Sequence, residues 1–148
     1  RPREGFVPKV DAFSFMKGYR ALKKAIDAGL VRSAHDLSDG GLAAAVSESA
    51  FSGMLGARID LRKMARKMDV ARNDTALFSE SNGRILISVS PDRVDAFRNC
   101  MSGCACPEIG EVTASGFVKI TGLDGSTAVN LSINDLKKSW KGLMTYMN

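Results

Sequence analysis

The feature that most constrains the fold is the order in which two hydrophobic periodicities follow one another along 148 residues. From Ser14 to Ala28 the apolar residues Phe15, Met16, Tyr19, Leu22, Ala25 and Ile26 recur at three- and four-residue steps, and Gly29 follows. That spacing and that glycine predict an amphipathic helix with a defined end. Leu30 to Ala34 then reads as a short strand, and Gly41 to Phe51 as a second helix whose small residues let another backbone come close. Ala57 to Leu61 alternates in the manner of a strand, and Arg84 to Val89 does so more strongly, with Ile85, Ile87 and Val89 on one face. Ser90-Pro91-Asp92 supplies a cap, a proline for the first helical position and an acid for the first turn, so a third helix should run to about Met101.

Ile109 to Val112, Phe117 to Thr121 and Ala128 to Leu131 are predicted strands, the last two joined across Gly122 to Ser126 in a hairpin. Ser132-Ile133-Asn134-Asp135 has the form of a capping box with aspartate in the place of the usual glutamate. It opens a last helix carrying Leu136, Trp140 and Leu143. Helices and strands are interspersed, with a strand-rich final third, which predicts an α+β domain built on a mixed β-sheet covered by helices. Residues 1–12 read as an N-terminal extension or linker and 13–148 as the domain.

Composition narrows the function classes. Hydrophobic residues make up 45% and charged residues 25%, which is ordinary for a folded protein and argues against disorder. No apolar run is long enough for a membrane helix and the N-terminus lacks the succession of a signal peptide, so the chain reads as cytoplasmic, without a membrane role. The formal charge of +5 comes from lysines and arginines scattered among acids. Only Arg62, Lys63, Arg66, Lys67 and Arg72 make a local basic run, and it lacks interleaved aromatics for base stacking. A solvated loop or the rim of an anionic small-molecule site is expected there, and no nucleic-acid partner. Cys100, Cys104 and Cys106 match no common zinc spacing, so buried or half-buried structural thiols are expected and no metal site.

Two polar stretches could carry chemistry. The first, SAHDLSDGGLAAAVSES, holds the only histidine, His35, beside Asp36, Ser38 and Asp39, with Gly40 and Gly41 opening a helix. Free N–H groups and the helix dipole at such a strand-loop-helix junction can receive an anion. Asp39 or Ser38 as N-cap, with Gly40 and Gly41 permitting close packing, explains the same stretch without a ligand. The glycine pair matches neither the dinucleotide fingerprint nor a P-loop. The second stretch is Leu77-Phe-Ser-Glu-Ser-Asn-Gly-Arg84, where Glu80, Ser81 and Asn82 offer a carboxylate, a hydroxyl and an amide suited to sugar hydroxyls or an amide substrate. A polar turn with Gly83 at its tight position and Arg84 paired to Glu80 is the alternative.

Taken together, His35-Asp-Leu-Ser-Asp-Gly-Gly-Leu42 and Phe78-Ser-Glu-Ser-Asn-Gly-Arg84 resemble the C-terminal domain of the AIR-synthase-related superfamily. Within it the chain is most similar to the last such domain of the phosphoribosylformylglycinamidine synthase family, subunit II type. The Gly56-Ala-Arg-Ile-Asp-Leu61 strand, the Ile109-Gly-Glu-Val112 strand and the closing helix with Trp140 fall in the order the resemblance requires.

The resemblance implies a three-layer α/β/α sandwich. It also implies an ATP-dependent ligase of de novo purine biosynthesis, using ATP and Mg2+ in the full-length enzyme, that makes formylglycinamidine ribonucleotide from formylglycinamide ribonucleotide and glutamine-derived ammonia. It implies further that the catalytic histidines and most magnesium ligands belong to another domain, so no catalytic residue is assigned here. Other domains of the parent enzyme, a glutaminase and a small subunit are the implied partners. The pseudo-symmetric site of this copy implies an ADP or phosphate ligand. In the first copy a Glu-Ser-Gln motif contacts the ribonucleotide; Glu80-Ser81-Asn82 corresponds to it, with Asn82 one methylene shorter. His35, Asp36, Ser38, Asp39, Gly40, Gly41, Glu80, Ser81 and Asn82 are therefore the ligand-binding candidates. The start at Arg1 without methionine fits a piece of a larger synthase, inactive alone. The alternative is a non-catalytic nucleotide- or phosphate-binding or structural domain of another AIR-synthase-related protein.

Overall fold

The computed structural model describes residues 10–68 and 70–145. The first nine residues of the predicted extension and the side chains of Arg66, Lys67 and Leu143 lie outside the described residues. In chain order the elements are α1 (Ala12–Asp27), β1 (Ser33–Asp36), α2 (Gly41–Gly53), β2 (Gly56–Asp60), α3 (Leu61–Met68), α4 (Asn73–Phe78), β3 (Ile85–Ser88), α5 (Val94–Cys100), β4 (Gly110–Thr113), β5 (Phe117–Thr121), β6 (Thr127–Ser132) and α6 (Ile133–Thr145). The α+β class inferred from the periodicities is the class observed. The described residues fall into two compact units, one from 10–38 and 80–105, the other from 39–79 and 106–145.

In the first unit, α1 starts earlier than its apolar spacing suggests because Asp11 caps it. The Asp11 carboxylate accepts from the backbone N–H of Phe13 at 3.1 Å and of Ser14 at 3.3 Å. At the other end Gly29, with φ +67°, donates to the Ile26 carbonyl at 2.9 Å, and Leu30 N–H donates to the Ala25 carbonyl at 3.0 Å. This paired closure takes Leu30 into the helix terminus, where it is buried with Ala25. The strand therefore begins at Ser33 rather than at the predicted Leu30, and it runs on through His35 to Asp36.

β1 pairs antiparallel with β3, His35 opposite Leu86 and Asp36 opposite Ile85. Leu37 N–H extends the ladder to the Arg84 carbonyl at 3.1 Å. After β3, Ser90, Pro91 and Asp92 take the N-cap, first and first-turn positions as predicted, but of a 3-10 turn, Pro91–Arg93, that precedes α5, and the Ser90 hydroxyl bonds the Asp92 carboxylate in place of a backbone N–H. Leu22, Ala25, Leu30, Phe97 and Met101 make the buried cluster of this unit, with Ile85, Ile87 and Val89 packed against it. Cys100 and Cys104 lie half-buried against the same cluster. Cys106 is exposed, contrary to the expectation that all three thiols are covered, because it lies beyond the helix and turn that hold the other two.

The second unit is organised on a four-stranded mixed sheet in the order β4-β2-β5-β6, with β2 parallel to β5 and the other pairs antiparallel. On one face Ile59 lies opposite Ile120, and Ile120 opposite Val129; Ile59, Val118 and Ile120 are buried. On the other, Glu111, Arg58, Lys119 and Asn130 stand side by side in solvent, and Arg58 Nε donates to Glu111 at 2.8 Å. The alternation of the strands thus sorts apolar from charged side chains face by face. Helix α2 buries Leu42, Ala45, Val46, Ala50 and Phe51, and the Phe51 ring lies 5.5 Å from that of Trp140 on α6. The capping box is present in modified form: Asp135 N–H donates to Ser132 Oγ at 3.1 Å, and the Ser132 hydroxyl returns a bond to the shorter Asp135 carboxylate at 2.6 Å.

Two helices were not anticipated. Where a solvated loop or the rim of an anionic site is expected, α3 begins at Leu61, which is expected to end a strand but is fully buried. The Asp60 carboxylate starts the helix by accepting from Arg62 N–H at 3.0 Å, and the Leu61 and Met64 side chains, three apart, go inward. The Arg62 guanidinium holds the Asp60 carboxyl down at about 2. Short α4, with Ala76 and Leu77 buried, packs against α2. Because Leu42 is 1% exposed at the start of α2, Leu42→Ala should lower unfolding free energy by about 2–5 kcal/mol, read from urea denaturation. A loss below about 1 kcal/mol would show that the site collapses around the gap.

Candidate functional site

The two polar stretches are distant in sequence, yet each compact unit brings a part of one against a part of the other. In the first unit the β1–β3 ladder does this. Asp36 pairs with Ile85, and Leu37 reaches the Arg84 carbonyl, so His35, Asp36 and Ser38 end at the same rim of the ladder as the turn that holds Glu80, Ser81 and Asn82. Leu37 between them is buried and anchors the rim. Gly83 has φ +80°, the left-handed conformation that the tight position of this turn requires.

Each candidate in this unit has a definite setting. His35 is half-buried, and its Nδ1–H donates to the Asp36 carbonyl at 2.6 Å, which fixes the ring against the backbone of the next residue. The Ser38 hydroxyl donates to the Asp36 carboxylate. That hydrogen bond, and to a smaller degree His35, holds the Asp36 carboxyl below its ordinary value. Glu80 and Asn82 are exposed, Ser81 is half-buried, and Arg84 is half-buried with its guanidinium pushed down by that burial. The rim thus gathers an imidazole, hydroxyls, an amide and carboxylates, a set that suits a ligand rich in hydroxyl and amide groups.

In the second unit the contact is tighter. Gly41, with φ +60°, opens α2, and a Cβ added there would stand 2.7 Å from the Leu77 carbonyl oxygen, 2.9 Å from that of Ser79 and 3.0 Å from the Phe78 carbonyl carbon. Only glycine fits. Gly40, with φ +73°, occupies the N-cap position and has no side chain with which to cap, and a Cβ on it would meet Ala44 Cβ at 2.8 Å. Neither Ser38 nor Asp39, the two caps considered from sequence, fills that position, since the backbone turns at Gly40 and Ser38 is spent on Asp36. The first turn of α2 is consequently left without a side-chain cap, which keeps its N–H groups suited to an anion. The glycine pair itself is explained by packing.

Among the described residues no group of three or more His, Cys, Asp or Glu comes together as a metal ion would need. No described helix is long and apolar enough to cross a membrane. The residues that sequence reasoning missed are Leu37, which spaces the rim, and Leu77 and Ser79, whose carbonyls receive Gly41. Buried leucines on either side of the polar motifs were the available signal.

The family model described as AIR synthase related protein, C-terminal domain, matches residues 1–122. Phosphoribosylformylglycinamidine synthase subunit PurL of Caldanaerobacter subterraneus subsp. tengcongensis is 34% identical over 139 residues, covering 94% of this chain and 18% of that protein. T. maritima PurL complexed with ATP superposes with a TM-score of 0.76 at 23% identity, over 90% of this chain and 23% of that one. The same protein complexed with ADP gives a TM-score of 0.72 at 25% identity, again over 90% and 23%. E. coli HypE, a hydrogenase maturation protein, gives 0.57 at 21% identity over 77% of this chain and 39% of its own. The chain thus spans about a fifth of the length of these synthase relatives.

Two outcomes test the geometry. Gly41→Ala adds left-handed strain to a backbone clash and should cost about 2–4 kcal/mol in chemical denaturation. Gly116→Ala, also at positive φ but with open space around it, should cost only about 1–2 kcal/mol. Equal costs would remove the contact with Leu77 and Ser79 from the account. Ser38→Ala should raise the pKa of Asp36 toward 3.8, followed by NMR titration of its carboxyl carbon. The depressed carboxyl favours the folded state above pH 3.8 and loses that contribution as the pH falls through the folded value. An unmoved titration would show that the hydroxyl is not the cause.

Proposed function

Because the chain belongs to the AIR synthase related protein C-terminal domain family, we propose that residues 13–148 act as one such domain of a phosphoribosylformylglycinamidine synthase. The observation that carries this reading is the 34% identity to a PurL subunit across 94% of the chain. It is supported by the way each unit sets part of the histidine motif against a flank of the Glu80-Ser81-Asn82 segment, at Arg84 and Ile85 in one and at Leu77 to Ser79 in the other.

The reaction so proposed is amidine formation. An amide oxygen is a poor leaving group, and ATP supplies the phosphoryl group that allows it to depart as phosphate when glutamine-derived ammonia adds at the carbon. The residues of this chain bind and orient. Ser81 and Asn82 donate to ligand oxygens, while Glu80 accepts from ligand hydroxyl or amide groups. Complexes of a structural relative with ATP and with ADP support a nucleotide as that ligand. His35 positions the rim through its bond to the Asp36 carbonyl rather than exchanging protons with substrate. Magnesium and the catalytic side chains are assigned to other domains, as are contacts with a glutaminase and a small subunit, in a cytoplasmic enzyme.

Isothermal calorimetry with ADP and magnesium on the 148-residue protein tests the binding part. Heat of binding is expected, and Asn82→Ala, at an exposed position, should weaken affinity about tenfold, the worth of one good hydrogen bond to a ligand. No heat at millimolar nucleotide, or binding indifferent to Asn82, would sink the assignment of the ligand. The purified chain should form no formylglycinamidine ribonucleotide from substrate, ATP and ammonia. Measurable product would place a complete catalytic set within these residues and overturn the proposal that chemistry resides in other domains.

A further inference from the structure

We propose that Phe15 is a positioning residue for the turn that carries Glu80, Ser81 and Asn82. Its ring, seated on the Cα of Gly83, holds that turn in the conformation its side chains need for ligand. The inference rests on the reading of these three residues as ligand groups, and it adds a determinant from a helix that neither motif includes.

The contact is defined by what is missing at Gly83. A Cβ built there would stand 2.5 Å from Cδ2 and 2.8 Å from Cε2 of Phe15, well inside the separation at which carbon atoms attract. The ring therefore occupies the space that any other side chain at this position would take. Glycine is required twice over, once by φ +80° and once by the ring.

Phe15 is itself well held. Its ring stacks on that of Tyr19, one turn later, with centroids 6.2 Å apart and planes 26° from parallel. Helix α1, which bears both, is capped by Asp11 and anchored in the core through Leu22 and Ala25. The environment of Phe15 differs from that of its neighbour Phe13: the two are 38% and 83% exposed. On its far side the turn is tied by the bond from Leu37 N–H to the Arg84 carbonyl. Glu80, Asn82 and Gly83 are exposed and Ser81 is half-buried, so the turn has no buried apolar side chain of its own. It is held by the ring as well as by the ladder, and removing the ring takes away the apolar one of these two contacts.

The test is amide hydrogen exchange on the 148-residue protein, with ADP and magnesium as the ligand probe. Phe15→Ala should speed exchange at residues 81–84 about tenfold or more while amides of α5, in the same unit, stay within about twofold. Phe15→Leu, which keeps an apolar cover, should stay near wild type at both. Affinity for ADP with magnesium should fall about tenfold in Phe15→Ala and be restored in Phe15→Leu. Exchange that rises evenly across the unit, or not at all at 81–84, would overturn the inference, as would local loosening with unchanged affinity. Should the wild-type chain bind no nucleotide, the ligand reading above fails, while the exchange pattern still decides whether Phe15 holds the turn. If Phe15→Ala does not fold, Gly83→Ala approaches the same contact from the other partner. It should loosen 81–84 about tenfold, whereas Gly116→Ala, with equal backbone strain and no ring above it, should not loosen its own turn to that degree; equal loosening in both would count against the ring.

Discussion

The close approach of Gly41 to the carbonyls of Leu77 and Ser79 is the constraint on which the second unit depends. It fixes the start of α2 against the end of α4, and everything that α2 buries, from Leu42 to Phe51, follows from that start. A residue with a Cβ would have to push the two backbones apart, displacing buried Leu42 on one side and buried Leu77 on the other. The same approach explains why the helix has no side-chain cap. The chain must turn left-handed through Gly40 and Gly41 to bring the backbones together, and a conformation so turned gives neither Ser38 nor Asp39 the N-cap position. Close packing and an open helix terminus are two results of one backbone path.

Much of the fold was legible in sequence because its periodicities are strong. The apolar spacing of α1, the alternation of β3 and β5 and the hairpin at Gly122 to Ser126 each announced the element observed. What was misread lies where one residue serves an element other than the one its hydrophobicity suggests. Leu30 looks like a strand residue, yet its N–H closes α1. Leu61 looks like the end of a strand, yet Asp60 turns it into the first residue of a helix. In both cases a short-range hydrogen bond to the backbone outweighs apolar character, and such bonds depend on dihedral angles that alternation patterns do not encode. The basic run after Leu61 looked like a loop because its charges hide the Leu61 and Met64 spacing, and Arg62 is largely satisfied by Asp60.

The candidate site was legible as two motifs and not as a structure. Sequence reasoning named His35, Asp36, Ser38, Asp39, Gly40, Gly41, Glu80, Ser81 and Asn82, and it could offer the glycines as either an anion cradle or a packing device. The structure shows close packing at the glycines and no side-chain cap on the helix they open. His35, the most conspicuous residue in the chain, is turned by its Nδ1 bond toward the backbone of the next residue. The chain belongs to the AIR synthase related C-terminal domain family and spans about a fifth of the length of its synthase relatives.

Two motifs some forty residues apart in sequence meet in both units, through the ladder in one and through Gly41 in the other. Nuclear Overhauser contacts measured on the folded protein test this most directly. The account predicts cross-strand contacts linking Asp36 with Ile85 and Leu37 with Arg84, together with contacts from the α protons of Gly41 to Leu77 and Ser79. A folded protein lacking either set would contradict it.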